Sequence, residues 1–235
     1  MFDDESHTGT TRMIEADEAT LAGQAVYSRR MLGWYDFIVL TVSNRWIWRC
    51  PTSRLLSWYD RHVSNNHLDV GVGTGWFLAH CKFPTSSPKI TLLDLNENCL
   101  ASAADRIRHL RPATVRADVL RPLTIPNSPF DSIGVNYLLH CLPGDLATKA
   151  CVFDHLGQHL APNGVLFGST LLCHGVTQSW AARRLAAFYN RKRIFSNDDD
   201  RLDVLTRELK SRFHDVTIET CGSVALFTAR QPIRK

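Results

Sequence analysis

Five short apolar runs recur through the middle of the chain, at 67–71, 89–95, 113–118, 131–137 and 164–172, each bounded by Gly, Pro or Asn. Brief runs of this kind predict strands, and the segments between them are long enough for crossover helices. Such alternation implies a parallel sheet with helices on both faces. Towards the C-terminus the rhythm changes. Residues 197–210 predict a helix with Asp198, Asp199 and Asp200 at its start, where carboxylates suit the positive end of the helix dipole. Runs at 215–220 and 223–229 then flank Cys221-Gly222, a hairpin signal. The pattern predicts an α/β fold: a doubly wound, mostly parallel seven-stranded sheet ending in an antiparallel hairpin.

The stretch ahead of the first strand has a different character. From 19 to 62 the spacing is helical and rich in aromatic residues, among them Tyr27, Trp34, Tyr35, Trp46, Trp48, Trp58 and Tyr59. Pro51 interrupts it, because a helix does not run smoothly through proline. Residues 1–18 are polar and acidic and read as a flexible tail. The expected organisation is a tail (1–18), an N-terminal helical cap or substrate lid (19–64), and an α/β domain (65–235).

Composition narrows the setting. The chain has 235 residues, 44% apolar and 21% charged, ordinary for a globular domain with a full core. No run of about 18 apolar residues occurs and no secretory pattern opens the chain, so neither a membrane span nor export is expected. Seven scattered cysteines without a CxxC pair point to reduced thiols in the cytoplasm rather than to a disulfide framework or structural zinc. A net charge of +4 says little about partners. The basic run Arg191-Lys192-Arg193 ends a helix expected from about 178, where cations suit the last carbonyls. Without an aromatic-basic motif beside it, nucleic acid is not the expected partner. A monomer or a homodimer is expected.

The chemistry concentrates at the ends of the predicted strands. The first runs into Gly71-Val-Gly73-Thr-Gly75, with a helix directly after it. Glycines there permit a tight turn and let the backbone approach a ligand that a Cβ would block. Asp94 follows 23 residues after Gly71, at the end of the second run, where a carboxylate can accept from both hydroxyls of a ribose. Asp118 follows 24 residues after Asp94, at the end of the third. Open α/β sheets bind ligands in the crevice at those carboxyl ends. A nicotinamide or flavin enzyme would also use a glycine turn and a ribose acid. Its fingerprint is G-x-G-x-x-G, whereas here the third glycine comes one residue early.

These segments resemble the motifs of class I S-adenosylmethionine-dependent methyltransferases. LDVGVGTG is similar to their first motif, LLDLN to their second-strand acid, RADV to the acidic motif of the third strand, and FDSIGVNYLLHCLPG to the fourth-strand motif. The resemblance implies S-adenosyl-L-methionine as cofactor. Asp69 and the loop through Gly71, Gly73 and Gly75 would hold its methionine end, and Asp94 with Leu95 its ribose. Asp118 and Val119 would hold its adenine, and Asn136 would lie beside the amino-acid and sulfonium end. Tyr27 is placed against the cofactor by analogy with related small enzymes. The acceptor pocket is expected under the cap, with Trp34, Tyr35 and His174 as members. The run from YNRKRIFSNDDD to VALFTAR resembles small methyltransferases of microbial secondary metabolism, and no DPPY-like motif follows the fourth strand. Both features imply a diffusible small-molecule acceptor.

Transfer from a sulfonium is an in-line displacement with an already activated donor. The protein must align the partners and exclude water, and needs a base only for a proton of high pKa. His140 is the candidate base, and Tyr137 the candidate for orienting the acceptor. No metal set is expected. The alternative is the same fold turned to a non-methylating rearrangement, or to binding cofactor or partner without turnover.

Overall fold

The computed structural model describes residues 37–233. A π-helical segment, Phe37–Ile47, leads to α1 (Thr52–His62). The sheet domain follows as β1 (Asn66–Val70), α2 (Trp76–His80), β2 (Lys89–Asp94), α3 (Glu97–Arg106), β3 (Ala113–Arg116) and β4 (Phe130–Asn136). After β4 come α4 (Leu146–Lys149), α5 (Cys151–Gly157), β5 (Leu160–Leu171), α6 (Trp180–Arg191), α7 (Leu202–Lys210), β6 (Phe213–Cys221) and β7 (Val224–Pro232). The seven strands lie in the order β3-β2-β1-β4-β5-β7-β6. The first five are parallel, and β7 pairs antiparallel with both β5 and β6. This is the predicted sheet, and the described part of the N-terminal region is helical as expected.

Alternation along the strands builds two apolar layers, one on each face. Leu68 and Val70 of β1, Ile133 and Val135 of β4 and Phe227 of β7 pack with Leu146, Phe153, Leu156, Leu205 and Leu209 from α4, α5 and α7. On the other face Leu92, Phe167 and Leu226 pack with Leu55, Trp58 and Tyr59 of α1, Ala103 of α3 and Ala182 of α6. α1 buries Leu55, Trp58 and Tyr59, spaced for one helical face. Each such large side chain taken out of water contributes about 2 kcal/mol. At Gly222 in the β6–β7 turn (φ 57°), an added Cβ would run into the Trp48 carbonyl, and the Ser223 amide donates to that carbonyl at 2.8 Å. The hairpin therefore docks directly on the chain entering α1.

Two local expectations differ from what forms. The helix expected over 197–210 begins at Leu202, so Asp198–Asp200 precede it instead of filling its first turn. Asp200 is drawn away by a buried ion pair with Lys149 (Nζ–Oδ2 2.9 Å). β5 also starts earlier than the apolar run. Leu160 pairs with Phe130 of β4, and a register shift follows, so Pro162-Asn163-Gly164 lie within the strand instead of bounding it. Among the described residues no helix is long and apolar enough to cross a membrane.

Candidate functional site

The site lies at the carboxyl ends of β1, β2, β3 and β4, which are adjacent in the sheet. β1 runs into a loop clipped to β2 by the Gly71 amide on the Leu93 carbonyl (2.8 Å) and closed by the Gly75 amide on Val72 (2.8 Å). Gly71, Gly73 and Gly75 all have positive φ, at 70°, 52° and 71°. The three positions are nevertheless unlike. A Cβ on Gly71 would meet Leu138 (2.8 Å), and one on Gly75 would meet Ala103 of α3 (2.9 Å). One on Gly73 would have nothing within 4 Å. The outer two glycines are needed for packing. The middle one keeps backbone bare beside open space.

Asp94 closes β2 and turns inward. Its Oδ1 accepts from the Asn96 amide at 2.9 Å. Burial pushes its carboxyl up to about 6, while the amides of Asn96, Gly73, Leu95 and Val72 oppose the rise. Leu95 follows directly and is half-buried. Asp118, two residues beyond β3, is also half-buried, and its Oδ1 accepts from the Leu120 amide (3.0 Å). Val119 is buried in the core layer against α4, α5 and α7. Asn136 ends β4. Its Oδ1 accepts from Ser169 Oγ at 3.1 Å, while its buried Nδ2 has no hydrogen-bond partner. A buried amide donor without an acceptor costs about 1–3 kcal/mol, so an oxygen-bearing ligand at that place would recover it. Bare backbone at Gly73 and an orphaned donor at Asn136 both fit the methionine end of the cofactor.

Asp69, 6% exposed, is the least ordinary acid. Burial pushes its carboxyl up to about 7, a hydrogen bond from Tyr59 opposes the rise, and Asp94 adds to it. It points to the same face as His67, and β1–β4 register pairs His67 with Ser132 and Asp69 with Gly134. The cap-facing side of these strands is thus polar beneath Tyr59 and Phe167.

Tyr137 follows Asn136 in a left-handed conformation, φ 55°, rare outside glycine. Its hydroxyl donates to Oδ1 of the fully buried Asn44 (2.9 Å), whose Nδ2 donates to Thr52 Oγ1 (3.0 Å). The π-helical segment is thereby tied to the end of β4. Asn44→Ala removes both bonds, and a loss of about 1–3 kcal/mol is expected in urea unfolding.

His140 is 3% exposed. Its Nδ1 lies 3.4 Å from Thr170 Oγ1 and 3.4 Å from the Leu171 amide, with Phe195 packed edge-on at 4.6 Å. Burial, aided by the Lys149 charge, pushes its pKa down to about 3. His174, three residues beyond the end of β5, is exposed and bonded to the Asp198 carbonyl (2.9 Å). The structure therefore brings Asp69, the glycine loop, Asp94 and Asn136 to one rim and leaves His174 tied to the 198–201 loop. Tyr27, Trp34 and Tyr35 lie outside the described residues. A cavity of about 430 Å³ opens between the segment after β4 and the loop after α6, lined by Cys141, Asp145, Asn190, Arg193 and Phe195 among others. Sequence reasoning missed Asn44 and the pair of His67 and Ser132. His67 carried a signal, since it shares strand parity with Asp69. Asn44 carried none.

This strand order, with its glycine turn and acids on successive strands, defines the class I methyltransferase architecture. A family model described as a methyltransferase domain matches residues 68–166. Demethylluteothin O-methyltransferase of Streptomyces thioluteus is 37% identical, over 91% of this chain and 93% of that protein. Methyltransferase ctvB of Aspergillus terreus is 40% identical, over 88% of this chain and 93% of that protein. The DhpI complex with S-adenosylhomocysteine shares the fold with a TM-score of 0.63 at 16% identity, covering 93% of this chain and all of that one. The chain belongs to the class I S-adenosylmethionine-dependent methyltransferases. It is an enzyme that transfers a methyl group to a small molecule.

Proposed function

We propose that the chain O-methylates a small, readily ionised hydroxyl compound of secondary metabolism, in the cytoplasm. The observation that carries the cofactor half of this reading is the orphaned Asn136 amide, taken with the bare backbone at Gly73. In this reading Asp69 and the Gly71–Gly75 loop take the methionine end, with Asn136 beside it. Asp94 and Leu95 take the ribose, and Asp118 and Val119 the adenine. When bound, S-adenosyl-L-methionine supplies an activated methyl group. The chain's own residues need only hold the acceptor in line and keep water out.

The names of the relatives favour oxygen as the accepting atom: a demethylluteothin O-methyltransferase, and a physcion biosynthesis cluster O-methyltransferase of Aspergillus chevalieri 37% identical over 91% of this chain. His140 bears on the acidity of the acceptor. With its pKa pushed down to about 3, His140 takes few protons from a neutral alcohol near pH 7, which favours an acceptor that ionises readily by itself. Tyr137, whose hydroxyl donates to Asn44, follows Asn136 at the end of β4 and would orient the acceptor. The cap (19–64), including Tyr27, Trp34 and Tyr35, would close over it, and His174 would stand at the outer edge. The seven free thiols support a reducing compartment.

Incubation with methyl-labelled cofactor and a panel of phenols and enols tests this. Labelled ether and stoichiometric S-adenosylhomocysteine are expected, with rates rising through each acceptor's own pKa. Conversion without S-adenosylhomocysteine would point to the non-methylating alternative. Asp94→Ala should weaken S-adenosylhomocysteine binding by about 1–3 kcal/mol in calorimetry, and an unchanged affinity removes Asp94 from the ribose site.

A further inference from the structure

Four of the five exposed large apolar side chains among the described residues fall on two adjoining segments. On α6, Ala182 and Ala186 turn inward, and the exposed positions are Trp180, Arg183, Arg184, Ala187, Phe188 and Arg191, spaced as one outward stripe. Trp180 is 67% exposed and Phe188 43%. Ser179 Oγ donates to the Ile47 carbonyl at 2.8 Å, which brings the start of this stripe to the end of the π-helical segment. There Trp46 is 69% exposed and Val42 43%. Arg184 lies over the Trp180 ring, 4.9 Å from its centroid, and Arg45 over Trp46 at 5.4 Å. No Asp or Glu occurs in 37–59 or in 178–197. Among the described residues, Arg45, Arg183, Arg184 and Arg191 pair with no carboxylate. Open rings among unpaired like charges mark a contact surface for something acidic and partly apolar.

We propose that this stripe, with Trp46 beside it, is the docking surface for residues 1–18 of the same chain. They lie outside the described residues, and their composition complements the stripe. Asp3, Asp4, Glu5, Glu15, Asp17 and Glu18 stand against a single Arg12, and Met13 and Ile14 precede the second acidic group. Their carboxylates would meet Arg45, Arg183, Arg184 and Arg191, and the two apolar side chains would cover the rings. Chain length permits the contact. The described chain opens at Phe37, on the segment that carries Val42 and Trp46. Residues 19–36 would span about 27 Å even if wholly helical, whereas α6, with 12 residues, is about 18 Å long. A short tether also holds the segment at an effective concentration in the millimolar range, so individually weak ion pairs suffice. A second copy related by a two-fold axis is a poorer occupant, because it would set arginine against arginine.

Acrylamide quenching of tryptophan fluorescence in the full chain tests this, with Trp180 read in each background as the difference made by Trp180→Phe. In the wild type, Trp180 should emit to the blue of a water-exposed indole and be shielded from the quencher, equally at every protein concentration. High salt should weaken the shielding. Glu15→Lys/Asp17→Lys/Glu18→Lys alters no described residue and should abolish the shielding, as should Arg183→Glu/Arg184→Glu. Combining the two sets reverses both charges and should restore it. A Trp180 as accessible in the wild type as in the triple-lysine variant overturns the proposal, and so does a combined variant that regains no shielding. Shielding that grows with protein concentration assigns the stripe to a second copy instead. Shielding that appears only on adding anionic phospholipid vesicles or RNA assigns it to a foreign polyanion, and either result equally overturns docking of residues 1–18.

Discussion

Replacing Lys149 by Met is expected to cost about 3–5 kcal/mol of folding stability, because it strands the carboxylate of Asp200 inside the protein. Both side chains are 0% exposed, with Lys149 Nζ 2.9 and 3.1 Å from the two carboxylate oxygens. Lys149 also donates to the Ser196 carbonyl, and the Ser196 amide donates to the His140 carbonyl, so the pair pins the 196–200 loop against the segment after β4. Burial pushes the Asp200 carboxyl up to about 6, and the ammonium keeps it from rising further. Without that ammonium Asp200 would take up a proton. Its folded pKa would then lie further above its unfolded value, so the variant's stability would fall as pH rises through the interval between the two. Urea unfolding at pH 5 and pH 8 should show the larger deficit at pH 8. Lys149→Met/Asp200→Leu should recover most of the loss, since removing both charges is often neutral. A double variant no more stable than the single one would refute the argument from a stranded charge.

The same pair shows where a sequence stops being legible. Three aspartates before an amphipathic run are good local evidence for a helix start, and α7 does begin just after them. What moves the boundary is a lysine 51 residues away, and a contact of that range leaves no local pattern. The sheet was legible because its signals are local: short apolar runs, glycine at one strand end and acids at two others. β5 is the partial exception, since Pro162-Asn163-Gly164 looks like a boundary and is carried through by a register shift against β4. In the site, Asp69 and Asp94 could be located by position, but their electrostatics could not. The rise of Asp69 to about 7 comes first from burial, beneath a tyrosine that the sequence showed only as one aromatic residue among several in 19–62. His140 was legible as a histidine near the reacting end. Its weak basicity appears only once Phe195, Thr170 and Lys149 are in place around it.

The glycine loop offers the sharpest separation of fold from function, because neighbouring glycines are required for different reasons. Gly73→Ala is expected to leave the fold nearly intact while lowering affinity for S-adenosylhomocysteine on the order of 10²-fold, about 3 kcal/mol. Its φ of 52° lies in the left-handed region, which costs a side chain about 1–2 kcal/mol, but the new methyl meets no protein atom within 4 Å. The space it enters lies beside Asp94, which the Gly73 amide faces, and is the one assigned to the ligand. Gly75→Ala should do the reverse. There the methyl would press on Ala103 of α3 at 2.9 Å, on a loop that Arg106 of α3 also holds through Thr74 (3.2 Å). Overpacking there should add about 1–3 kcal/mol to the left-handed strain and lower the melting midpoint. Scanning calorimetry and ligand titration on the two variants separate the effects. If Gly73→Ala binds the ligand as wild type does, the loop's middle glycine does not face the cofactor, and the placement of the methionine end at this rim is wrong.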